Sequence, residues 1–160
     1  MKASLLYFLI LFGFVINPFY SQEKTITLFN IEKATIDGED YSEKFKEGKV
    51  YTVFYRNLKD SILAMANVWP VNGSQSYGNV YPHQMIVTDE TYEGLKSTRT
   101  FYKWFYTNTY DDAKGSASIE LIQVVKSEGI YYVMKMITSE FQICIYKGYL
   151  NEGASNSLTK

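Results

Sequence analysis

From residue 24 to residue 149 alternation of large apolar and aromatic side chains with polar ones, rather than a helical period, dominates the sequence. Successive side chains of an extended chain point to opposite faces, so such a run can bury itself only as a β-strand with one face on a core. Residues 24–34 (KTITLFNIEKA), 50–56 (VYTVFYR), 61–69 (SILAMANVW), 97–109, 116–126, 130–138 and 141–149 read as strands, with shorter, weaker strands at 76–81 and 84–88 around Pro82. Between them lie turn signals: Asp37-Gly38, 57–60, Asn72-Gly73, 111–115 (DDAKG), 127–129 and 139–140. Pro70, which cannot donate to a ladder, ends the strand before it or puts it at an edge. Residues 89–94 are polar and read as a loop. One helical turn interrupts the pattern. Asp40 is placed as its N-cap with Glu43 three residues on, Tyr41 and Phe45 share a buried face, and Gly48 closes it in the left-handed conformation.

Eight or nine strands joined mostly by short links make an antiparallel meander. A meander of that length must hide its edges, so the expected fold is all-β: an up-and-down barrel with one short N-terminal helix, a two-sheet sandwich being the alternative. The 15 Tyr, 10 Phe and 2 Trp suit β surfaces and barrel interiors. Residues 22–150 are long enough for a single domain with a real core, and 151–160 read as a flexible tail.

Ahead of this domain, Lys2 is followed by an uncharged apolar run at 5–16 (LLYFLILFGFVI), shorter than the roughly 20 residues of a membrane-spanning helix. Asn17-Pro18 breaks it, and Ser21 offers a small residue before a cut that leaves Gln22 as the new N-terminus. Residues 1–21 therefore read as a signal peptide, and the expected location is exported, periplasmic or secreted, with no integral span after cleavage. Phe19 is large for its place before the cut, which leaves the cleavage point open, and an uncleaved N-terminal anchor is the alternative. Losing Lys2 from the 16 basic residues, against 17 acidic ones, takes the net charge from −1 to about −2. With no basic block there is no electrostatic footprint for nucleic acid. Cys144 is the single cysteine, so no intrachain disulfide supports the fold.

The stretch 31–56 (IEKATIDGEDYSEKFKEGKVYTVFYR) resembles the opening of bacterial lipocalin-like domains, in which a strand leads through a Gly-containing turn and a short helix ending near a Phe to an aromatic-alternating strand. Asp37-Gly38, Asp40, Phe45 and Tyr51/Val53/Tyr55 stand in those places. The Gly-x-Trp of many lipocalin first strands is missing. The resemblance implies a small meander barrel with an interior ligand site, and no particular ligand.

Catalytic signatures are missing from the sequence. His83 and Cys144, the single residues of their types, cannot supply a zinc site, and neither a nucleophile elbow nor a phosphate or dinucleotide loop is present. Cys144 alternates with Ile143 and Ile145 and reads as a small buried hydrophobe rather than a nucleophile paired with His83. The carboxylates Asp89, Glu90 and Glu93, and Asp111 with Asp112, read as solvated turns. Asn72-Gly73-Ser74 matches a glycosylation sequon, but a hairpin turn accounts for Asn-Gly by itself. The most informative stretch is 100–110. One face carries Tyr102, Trp104, Tyr106 and Tyr110, the other Phe101, Lys103 and Phe105. Lys103 is costly to bury unpaired, which turns the Tyr/Trp face inward. Phe101 and Phe105 would then be covered by the helix through Tyr41 and Phe45, or form a partner surface. Tyr102, Trp104 and Tyr106 are the candidate ligand-binding residues, core packing being the competing account of the same rings. The expected function is a non-enzymatic binding module for a small apolar or amphipathic ligand, without cofactor or metal. The alternative is a structural or protein-interaction domain of the cell envelope with a filled barrel and an unknown protein partner.

Overall fold

The computed structural model describes residues 26–56, 62–86 and 91–152. The leader at 1–21, the turn at 57–60, the first part of the 89–94 loop and residues 153–160 lie outside the described residues, while 151 and 152, expected in the flexible tail, extend the last strand and pair with Leu28 and Thr27. The elements are β1 (Ile26–Ile36), β2 (Glu39–Asp40), helix α1 (Ser42–Glu47), β3 (Tyr51–Arg56), β4 (Leu63–Trp69), β5 (Ser74–Ile86), β6 (Thr91–Tyr92), β7 (Leu95–Asn108), β8 (Lys114–Lys126), β9 (Gly129–Thr138) and β10 (Ile143–Glu152).

Eight of the strands form a closed antiparallel barrel with up-and-down neighbours. Its order runs β1-β3-β4-β5-β7-β8-β9-β10, and β10 returns to β1 from Thr27↔Glu152 to Ile36↔Cys144. The closing seam carries a register shift between Ile31 and Lys33. Gly148 sits opposite it, where a Cβ would run into the Asn30 carbonyl, so the seam closes only with glycine there. The short strands β2 and β6 pair with β1 and β7 outside the ring.

Alternation sorts the side chains as expected. Phe29, Met65, Val80, Trp104, Ile119, Met134 and Tyr146 fill the interior, each at most 6% exposed. A second, smaller cluster of Ile122, Val124 and Val133 lies on the outer face, where Tyr92 of β6 packs over it. Lys147 reaches Glu93 at 3.2 Å beside the Tyr92 ring and ties this cover to β10. Further along the outer face Glu120 takes Arg99 at 2.8 Å and Lys135 at 3.6 Å.

Four local expectations are corrected. The two short strands around Pro82 are one strand, β5, with a register shift between Pro82 and Gln84. The bulge accommodates the missing N–H without breaking the ladder. The helix starts at Ser42, with Tyr41 at the N-cap. Asp40 instead belongs to β2, and its carboxylate accepts from the Ser42 N–H at 2.8 Å. Gly48 ends the helix in the right-handed region at φ −72°, while the positive φ (50°) falls on Lys49. A Cβ at 48 would stand close, 3.1 Å from the Lys44 carbonyl and 3.2 Å from Val50. Finally, α1 does not cover Phe101 and Phe105. Phe45 enters the barrel mouth, and Phe105 stays 52% exposed against Tyr81 on the outer surface.

Candidate functional site

Helix α1, the β4–β5 turn, the β7–β8 turn and the β9–β10 turn all gather at one end of the barrel, because β1 runs out there and its neighbours alternate in direction. Asn72-Gly73 makes the β4–β5 turn as the sequence predicts. Gly73 takes φ +71°, and the Asn72 carboxamide oxygen accepts from the Ser74 N–H at 3.0 Å and its hydroxyl at 2.7 Å. Phe45 closes part of this end, its ring 4.8 Å from Trp69 and 5.2 Å from Tyr146.

The rest of the mouth opens into a cavity of about 790 Å³. Its origin is a size mismatch between neighbouring strands. On β7, Trp104 and Tyr106 turn large rings inward, 4.5 Å apart. Opposite them in the ladder, β8 offers only Ala117 and Gly115. The floor continues over Met136 and Cys144, with Trp69 and Tyr146 on the helix side. The rim is polar. Asn67, Gln75, Ser76, Asn108, Thr138 and Gln142 border the space, together with the carboxylates Asp111 and Glu140. Part of the wall is held by its own hydrogen bonds. The buried Thr52 hydroxyl donates to Asn67 at 2.7 Å, Ser76 donates to Asn108 at 2.6 Å, and the Asn108 amide donates to the Tyr110 hydroxyl at 3.1 Å.

Trp104 is the exception. It is 3% exposed, and its indole N–H has no hydrogen-bond acceptor among the described residues. Leaving such a group unpaired in a dry core costs about 1–3 kcal/mol. The Trp104 side chain is among those that border the cavity. Burial raises the Tyr106 hydroxyl pKa, and nearby Glu140 raises it further. Burial also pushes the Cys144 thiol up to about 11, and raises Tyr146 strongly, with Cys144 beside it adding to the shift. A thiol held protonated is a poor nucleophile. His83 is exposed and borders an outer groove with Phe101 and Lys103, away from this wall. Among the described residues no set of three or more His, Cys, Asp or Glu gathers as a metal site.

Of the three aromatic residues singled out in the sequence, Trp104 and Tyr106 line the cavity. Tyr102 packs against the same core without being among the lining residues. Tyr110 lies past the end of β7 and is 70% exposed at the rim. Sequence reasoning missed Trp69 and Tyr146 as lining residues. Their positions follow from strand alternation, but their neighbourhood depends on which strands meet at closure. No protein family, no curated protein and no solved structure matches the chain. No described helix is long and apolar enough to cross a membrane.

Proposed function

We propose that the protein is an exported, non-enzymatic binding module, lipocalin-like in shape, which takes a small amphipathic ligand in the mouth of the barrel. The observation that carries this reading is the buried Trp104 N–H without an acceptor on the border of a 790 Å³ cavity. A ligand oxygen there satisfies the indole, while the Trp104 and Tyr106 rings supply apolar contact. The volume lies within the ordinary range of small-molecule sites, about 300–1,000 Å³. An apolar floor under a polar rim suits a ligand with one end of each kind. Tyr102 supports the wall from below rather than touching the ligand.

Native mass spectrometry of protein purified without organic solvent tests the proposal. A co-purified small molecule is expected, displaced when Trp104→Phe removes the N–H but keeps a ring. A protein free of adduct, whose intrinsic fluorescence ignores a panel of amphiphiles, would overturn the reading. Export is tested separately by N-terminal sequencing of the mature chain, which should begin near Gln22.

A further inference from the structure

Two acidic residues, Asp111 and Glu140, border the cavity, with no Lys, Arg or His among the described residues that line it. Among the described residues the Asp111 carboxylate accepts the Ala113 N–H of its own turn, at 2.9 Å, and neither Asp111 nor Glu140 has an ion-pair partner. Two other carboxylates of the barrel do hold cations. Glu120 holds Arg99 and Lys135, and Glu93 holds Lys147. Asp111 and Glu140 thus border the same cavity as Trp104, Tyr106 and Trp69.

We propose, building on the binding reading above, that the cavity selects an organic cation: an amphiphile whose ammonium group sits at the Asp111/Glu140 rim and whose oxygen atom accepts from the Trp104 N–H. A carboxylate or phosphate headgroup at the same place would meet two like charges with no donor cation to offset them. An ammonium group meets two opposite charges beside aromatic residues, whose rings attract cations. The rim is partly solvated, so the preference is moderate, on the order of tenfold between a cation and an anion of the same chain length, and it weakens as ionic strength rises.

The two tryptophans of the sequence, Trp69 and Trp104, both line the cavity, so intrinsic fluorescence reads its occupancy directly. Three probes share an octyl chain and differ in headgroup: octyltrimethylammonium, octyl glucoside and octanoate. The expected result is tightest binding of the ammonium probe, with on the order of tenfold over octanoate. The double substitution Asp111→Asn with Glu140→Gln keeps the side-chain acceptors and removes both charges, and it should collapse that ratio while the thermal melt stays in place. Octanoate binding as tightly as the ammonium probe, octyl glucoside binding tightest, or a ratio unchanged in the double variant would each overturn the charge selection and leave the binding reading standing. Silence from all three probes would overturn both.

Discussion

On one side of the barrel mouth Phe45 lies edge-on to Trp69 and tilted against Tyr146, and it is 2% exposed. On the other side Trp104 and Tyr106 lie as close to each other, yet they face Gly115 and Ala117. Both regions use aromatic rings on inward positions of the same barrel. They differ in what stands opposite. A helix delivers Phe45 into the first and completes its packing, whereas the second receives no such residue and keeps a polar group unpaired. Aromatic content alone therefore does not distinguish core from site; the size of the facing residues does.

Four substitutions or titrations can break or sharpen this contrast. The largest effect is expected from Phe45→Ala, which empties the closed side and should cost about 3–5 kcal/mol, read by urea denaturation. A loss below about 1 kcal/mol would show that the helix does not seal the mouth. Trp104→Ala should sit at the low end of that range, about 3 kcal/mol, because the side chain borders the cavity as well as the packed core. Were it to equal Phe45→Ala, the two sides would be alike and the cavity would not be an open space. Gly115→Ala places a Cβ against the Tyr106 ring. The ring can move into free volume, so the stability cost should be about 1 kcal/mol, while occupancy of the cavity by an octyl amphiphile drops.

The smallest effect is a pH dependence. Cys144 borders the cavity and is buried, with its thiol raised from the usual 9.0 to about 11. In the unfolded chain the thiol ionises first, so the unfolded state holds fewer protons between these values. The protection is complete below pH 9 and is lost as pH rises toward about 11. Stability should therefore fall over that window, and Cys144→Ala should flatten the slope. Tyr146 shifts in the same direction and leaves a residual slope in that variant.

Much of the architecture was legible before any coordinates. Period-2 patterning located the strands, and Asn72-Gly73 and Asp37-Gly38 marked turns that the backbone makes with Gly73 at φ +71° and Gly38 at φ +86°. The cost of burying Lys103 turned the correct face of β7 inward, as the 3% exposure of Trp104 shows. What was misread depends on context beyond a few residues. Pro82 signalled a break because a single sequence does not reveal a bulge. Gly48 signalled a left-handed cap although the left-handed residue is Lys49, one place on. The cavity was illegible for a stronger reason. Gly115 and Ala117 face Tyr106 and Trp104 through the β7–β8 hairpin, whose register the sequence does not mark, and only the folded barrel brings Cys144 and Tyr146 of β10 to the same cavity.

The pairing of β1 with β10 also governs when the protein can come into being. Thr27 and Glu152 are partners, so the first strand of the barrel waits for the last. Hairpins such as β8–β9 can form as soon as their residues are available, but the seam must bring together segments separated by nearly the whole domain, the slowest kind of contact to make. Until then β1 has a free edge beside β3, and the interior is open to water along its length. Losing the final strand during synthesis, or by a proteolytic cut, would thus cost more than one strand's contacts. It would leave an unclosed sheet with two sticky borders, prone to pairing with other chains.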